Sequence, residues 1–244
     1  LRNRSDWIAS FLFMKPLAQC RLYTFIDTAW LGARQAAAVA RQLCDGGSDL
    51  IQLRAKGATA DEVCRLAEQI LPVLHRAGVG LVINDHWDIA CKVGADFCHL
   101  GQEDFFGAGW NDSSQLIPSD ERLGLGLRLG LGLGGDKSHI PLLGLSTHAP
   151  AQALRALAAR PAYIAIGPVY PTPTKPGVAP VTLDYVRWAA ANIPIPWFAI
   201  GGINLGNISE VLQAGATRVC AVTAILNAPD PVEACRQFRR KLAV

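Results

Sequence analysis

The sequence predicts an α/β fold of the TIM (β/α)8 type, a closed ring of parallel strands. Three observations carry that prediction. Eight short apolar runs alternate with helical stretches from Leu22 onward. The 244 residues match the roughly 250 of an ordinary barrel. Polar or charged residues gather where most of the runs end, and a barrel keeps its site at that end of its strands. A doubly wound open sheet is the runner-up, since it shares the alternation.

The elements follow in order. Leu22–Ile26 is the first strand, ending at Asp27. Ala33–Cys44 is Ala-rich and helical, stopped by Gly46-Gly47. Leu50–Arg54 is the second strand. Thr59 and Glu62 form a capping-box pattern, and Val63, Leu66, Ala67, Ile70 and Leu74 keep helical spacing up to Gly78. Pro72 inside this pattern predicts a kink. Leu81–Ile83 is the third strand, followed by a helix over His86–Val93. Phe97–Leu100 is the fourth and Leu143–Leu145 the fifth. Pro150 suits the first turn of a helix running to Arg160. Tyr163–Ile166 is the sixth strand, Leu183–Ala191 a helix and Trp197–Ile200 the seventh strand. Asn207 and Glu210 cap the next helix, stopped at Gly215. Arg218–Val222 is the eighth strand, and Pro231–Leu242 the last helix.

One barrel domain over 14–244 is therefore expected, with a Gly/Leu-rich insertion after the fourth strand at about 107–141. Within it, leucines alternate with Gly124, Gly126, Arg128, Gly130 and Gly132, a low-complexity pattern without a nucleotide-loop motif. Residues 1–13, ahead of the single methionine Met14, are expected to be a disordered extension.

Half of the residues are hydrophobic, 18% are charged and the net charge is +3, which argues against disorder and against nucleic acid. No run is apolar enough to span a membrane. Seven cysteines, an odd number without C-x-x-C spacing, suit a reduced cytoplasmic chain. No Cys/His spacing suggests zinc, and no Gly-x-Ser-x-Gly elbow suggests a hydrolase. His99 reads as a core histidine and His148 as a weak base candidate; His75 and His139 read as surface residues.

The strand ends carry the chemistry. The second supplies Arg54 and Lys56, the third Asn84 and Asp85, the fourth Asp104, the fifth Ser146. The sixth opens into a stiff loop, Gly167 to Gly177, whose prolines Pro168, Pro171, Pro173 and Pro176 forbid helix and whose Thr172, Thr174 and Lys175 are polar. Taken singly, Asn84-Asp85 is a helix cap and the cations are solvated surface. Taken together, two carboxylates suit Mg²⁺ with its waters and substrate phosphate, and three cations suit the remaining phosphate oxygens. Gly201-Gly202 and Val222-Thr223, after the last two strands, mark a second phosphate site.

The stretches Gln52-Leu53-Arg54-Ala55-Lys56, Ile83-Asn84-Asp85, His99 to Asp104, Gly144 to His148, Gly167 to Lys175 and Ala199 to Ile203, in this order, resemble the thiamine-phosphate synthase and thiazole tautomerase family. The resemblance runs from about Leu22 to the C-terminus, the insertion excepted, and departs at Ala162, where the family often carries Asp. It implies a transferase joining hydroxymethylpyrimidine diphosphate to hydroxyethylthiazole phosphate, with thiamine phosphate and diphosphate as products. Carried over, Gln52, Leu53, Arg54, Ala55, Lys56, Asn84, Ser146 and Lys175 hold the pyrimidine diphosphate. Thr172, Pro173, Thr174, Gly202, Val222 and Thr223 hold the thiazole phosphate, and Asp85 and Asp104 bind Mg²⁺. Arg54, Lys56, Ser146 and Lys175 form the catalytic set. Asp85, Asp104 and Lys175 together favour the synthase; a tautomerase and a non-catalytic barrel that binds thiamine precursors are the alternatives. The implied partners are small molecules, with homo-oligomerisation left open.

Overall fold

In the computed structural model, residues 14–117, 140–174 and 177–243 are described. The expected extension at 1–13, the Leu/Gly alternation, His139 and Lys175 lie outside them.

Eight parallel strands close into a ring in sequence order. They are β1 (Leu22–Asp27), β2 (Leu50–Arg54), β3 (Gly80–Asn84), β4 (Phe97–Gly101), β5 (Leu142–Thr147), β6 (Tyr163–Ile166), β7 (Trp197–Ala199) and β8 (Val219–Cys220). Each expected strand is present, with no end moved by more than two residues, but at the eighth both ends retreat. There the five expected residues shrink to two, which pair once with β7 (Ala199↔Val219) and twice with β1 (Leu22↔Val219, Tyr23↔Cys220).

The helices described are α1 (Thr28–Leu31), α2 (Ala36–Asp45), α3 (Ala60–Ala77), α4 (Trp87–Val93), α5 (Gln102–Gly107), α6 (Pro150–Ala158), α7 (Thr182–Asn192), α8 (Ile208–Gln213), α9 (Thr223–Leu226) and α10 (Pro231–Leu242). The Thr59 box forms at α3: Glu62 N–H donates to Thr59 Oγ1 at 3.3 Å and Thr59 N–H to Glu62 Oε2 at 2.7 Å. The helix then runs on through Pro72 to Gly78 in the left-handed region. Two short helices, α1 and α5, fall where only loop is expected. Part of the expected insertion is also folded: a 3₁₀ turn at Ser113–Leu116 is tied down where Arg160 meets Asp112 at 2.7 Å.

Alternation along the strands divides the core in two. Odd residues of β2, Ile51 and Leu53, join Leu22, Ile26, Leu81, Ile83, Leu145, Ile164 and Ile166 in the layer under the helices. Their neighbours Tyr23, Phe25, Leu50, Val82, Phe97, Tyr163, Phe198 and Cys220 fill the barrel interior. Tyr163 meets Phe198 and Phe97 edge to face, at 5.6 Å and 5.9 Å, while Tyr23 stacks on Phe25 at 5.1 Å. Gly144 makes this possible, since a Cβ at that position would collide with the Tyr163 ring.

Met14 and Leu17 pack beneath this filling and plug the N-terminal end. Asp49 organises that end. Its carboxylate accepts from the backbone N–H of Arg21 at 2.6 Å and of Leu22 at 3.0 Å. It also pairs with Lys15 at 3.1 Å and with Arg239 of α10 at 2.8 Å.

Candidate active site

The C-terminal end of the barrel opens into a pocket built by the inward positions of the strands. On β2 these are Gln52 and Arg54, with Lys56 just beyond; on β3, Asn84; on β5, Ser146. Asp85, Asp104, Thr172, Thr174 and Val222 complete the sequence-derived set that reaches this pocket. Leu53 and Ala55 do not reach it. As alternate residues they face outward and are buried in the layer under the helices, so their side chains belong to the fold. Pro173, Gly202 and Thr223 do not line it either, although Gly201 and Val222 beside them do. Thr223 instead opens α9.

Charge is arranged around the rim. Arg54 Nη1 lies 2.6 Å from Asp27 Oδ2, and Lys56 Nζ 3.9 Å from Asp85 Oδ2. Asp85 is not a helix cap: α4 starts after His86 and receives no side-chain cap. It sits instead at φ 66°, a conformation few non-glycine residues adopt, with its N–H donating to the His99 carbonyl at 2.9 Å. Asp104 lies in the first turn of α5, and its Oδ2 folds back to 2.6 Å from where a Cβ on Gly101 would stand. The two carboxylates thus come from adjacent strand ends. Among the described residues no group of three or more His, Cys, Asp or Glu could hold a metal ion.

The proline-rich loop is seated on the end of β7. Val169 N–H donates to Ile200 O at 2.8 Å and Tyr170 N–H to Gly201 O at 3.0 Å. Gly201 and Gly202 have φ of 101° and 64°, and a Cβ on Gly202 would stand 2.6 Å from Pro171 O. The glycine pair is therefore required by the loop lying on it as well as by its own turn. Asn207 fixes the same turn from below. Where the sequence predicts a side-chain cap, its Nδ2 donates to Gly202 O at 2.9 Å and its Oδ1 accepts from Asn204 N–H at 2.8 Å. Thr172 and Thr174 hydroxyls are 2.8 Å apart at the pocket edge.

The pocket floor carries a polar chain that sequence reasoning missed. Gln52 Nε2 donates to the Tyr23 hydroxyl at 2.5 Å; that hydroxyl is 3.1 Å from the Tyr163 hydroxyl, which is 3.1 Å from His99 Nδ1. Burial pushes both phenols well above their ordinary pKa, so both remain neutral donors and acceptors. His99 is therefore a pocket residue as well as a satisfied one. His148 also lines the pocket and is bound through Nδ1 to the Gly167 carbonyl. Asp27, Phe25, Ile200 and Cys220 line it too. Period two along β1 was the available signal, because it sets Tyr23, Phe25 and Asp27 on one face.

A family model described as thiamine monophosphate synthase matches residues 22–128 and 138–225. The chain belongs to the thiamine monophosphate synthase family. Curated relatives agree. The thiamine-phosphate synthase of Thermus thermophilus is 45% identical over 198 residues, covering 81% of this chain and 84% of the relative. That of Acidothermus cellulolyticus is 40% identical over 232 residues, covering 93% and 97%. Among solved structures, thiamine phosphate pyrophosphorylase from Pyrococcus furiosus superposes with a TM-score of 0.72 at 23% identity, covering 93% of this chain and 97% of that one. A 3-hexulose-6-phosphate synthase follows at 0.60 and 18%, covering 91% and 99%. At these identities the two structures support the barrel alone. The thiamine monophosphate synthase match takes in every sequence-derived site position from Gln52 to Thr223.

Proposed function

We propose that this protein joins hydroxymethylpyrimidine diphosphate to hydroxyethylthiazole phosphate, releasing thiamine phosphate and diphosphate. The observation that carries this reading is a family match over nearly the whole barrel on a chain whose Arg54, Lys56, Asp85 and Asp104 share one rim. The reaction needs no enzyme nucleophile. The electron-rich aminopyrimidine expels diphosphate, and the thiazole nitrogen attacks the delocalised cation that remains.

In this reading Arg54 and Lys56, joined by Lys175, neutralise the departing diphosphate. Gln52, Asn84 and Ser146 orient the pyrimidine diphosphate from neighbouring strand ends. Thr172, Thr174 and the turns at Gly202 and Val222-Thr223 receive the thiazole phosphate. Two carboxylates suit Mg²⁺, which takes one or two with water and substrate phosphate filling the rest of its sphere; Asp85 and Asp104 would hold it. When bound, Mg²⁺ supplies charge neutralisation on the phosphate oxygens. A three-carboxylate or histidine-rich metal, by contrast, finds no ligand group among the described residues. The seven free cysteines suit a reducing compartment, which we take to be the cytoplasm. No described helix is long and apolar enough to cross a membrane.

Diphosphate release by purified protein given both substrates and Mg²⁺, with an EDTA control, tests the reading. Release that requires both substrates and the metal is expected. Turnover of the thiazole substrate alone, without metal, would instead make the protein a tautomerase; binding without turnover would make it a sensor. Lys175→Ala is expected to lower kcat/KM by about a hundredfold; unchanged kinetics would remove Lys175 from the catalytic set.

A further inference from the structure

Asp27 has no role in the chemistry above, yet it is 1% exposed at the rim of the pocket. Both of its oxygens are engaged. Oδ1 accepts from the Ala29 N–H at 3.1 Å and caps α1. Oδ2 accepts from Arg54 Nη1 at 2.6 Å. The two residues are register partners at the ends of β1 and β2, so they stand at the same height in the ring. The other arm of the same guanidinium, Nη2, donates to the Thr174 carbonyl at 3.5 Å, across the pocket mouth.

A guanidinium is planar and rigid, so fixing one arm on Asp27 and the other near Thr174 fixes the direction of its remaining donors. An arginine without such a partner samples many rotamers, and each bond to an anion must then overcome that entropy. We propose that Asp27 is a positioning residue: it holds the Arg54 fork in place to receive the diphosphate, and ties that fork to the Thr172–Thr174 segment on the other side of the pocket. The inference rests on the function proposed above.

The sign of one substitution separates this from the two plainer roles. Asp27→Asn keeps the shape and the cap, because Asn caps helices as well as Asp does. It removes the charge that fixes Arg54. If Asp27 acted only through its charge, losing it would relieve repulsion and tighten anion binding. If it only capped α1, Asn would change nothing.

The experiment measures two quantities in the wild type, Asp27→Asn, Arg54→Ala and the double variant. Calorimetry gives the affinity for inorganic diphosphate with Mg²⁺, and steady-state kinetics gives kcat/KM for the pyrimidine diphosphate. Positioning predicts that Asp27→Asn weakens both by about tenfold or more, and that it adds nothing when Arg54 is already alanine. Asp27→Ser, which also retains a cap, should behave alike and stands in if the Asn variant folds poorly. Tighter binding, unchanged values, or an equal loss on the Arg54→Ala background would each overturn the proposal. Diphosphate binding that depends on Asp27 through Arg54, in a wild type without turnover, would keep the proposal and refute the synthase. Turnover by the wild type with kinetics unaltered in Asp27→Asn would do the reverse.

Discussion

At the N-terminal end of the barrel, Asp49 is 8% exposed and its carboxylate takes two backbone N–H groups and two cations. At the other end, Lys56 and Asp85 stand 3.9 Å apart with side chains 61% and 37% exposed. Both ends use the same residue types. One satisfies its charges within the protein, which fastens the first strand, the last helix and the plug together. The other buries one pair, Asp27 with Arg54, but leaves Lys56 and Asp85 facing water, where a ligand can reach them. The contrast between Asp49 and the Lys56–Asp85 pair is thus one of burial and partner count rather than of residue type.

The largest effect expected from breaking this contrast is at Asp49. Asp49→Ala leaves the Arg21 and Leu22 N–H groups without their acceptor and unpairs Lys15 and Arg239, and should cost about 2 kcal/mol or more in urea unfolding while kcat stays near wild type. A stable variant with damaged turnover would reverse the assignment of the two ends. Next come Asp85→Asn and Asp104→Asn. Each should lower kcat by about a hundredfold or more with stability changed by about 0.5 kcal/mol or less. A large drop in Tm with intact turnover would contradict it.

A third, smaller effect is set by pH. Burial, with Asp49 adding to it, pushes the Cys20 thiol from 9.0 up to about 12. A group held protonated in the fold contributes its stability fully below its ordinary pKa and loses it as pH rises through the folded value. Tm should therefore decline between pH 9.0 and about 12, joined by the buried phenols of Tyr23 and Tyr163. In Cys20→Ala the decline should be shallower; an identical profile would place its origin elsewhere. The smallest effect is expected from a chain that starts at Met14. Tm and turnover should match the full chain, because Met14 and Lys15, which the shorter chain keeps, are the first of the described residues in the plug. Loss of either would give residues 1–13 a part in the barrel.

Much of the fold was legible because its punctuation is local. Gly46-Gly47 and Thr59 bracket β2, and Pro231 opens the last helix where the sequence places it. What was not legible depends on neighbours. The helix α1 is four residues long, and Asp27, legible as the end of a strand, also caps it through the Ala29 N–H and holds Arg54. Asn207 precedes a helix as a cap should, but its Oδ1, the atom that would cap, accepts from the Asn204 N–H instead. The site divides the same way. Arg54, Lys56, Asn84 and Ser146 could be found from strand ends, and Gln52 came from the family motif and does reach the pocket. Leu53 and Ala55 entered only as letters of a motif, and the alternation of β2 turns them away from the pocket. Tyr163, in the very run that marks the sixth strand, was missed because its hydroxyl meets partners from β1 and β4 that no linear spacing connects.

A ring has no edges, but this one has a seam. The two residues of β8 hold it shut through one register pair on one side and two on the other. The least costly way to breathe is to part there, between β7 and β8. Cys220, the β8 residue next to that seam, lines the pocket floor at 1% exposure, so little of its thiol is open to a reagent while the ring is intact. Its rate of thiol labelling is thus a clock built into the barrel, and a thiazole phosphate bound as proposed above should slow it.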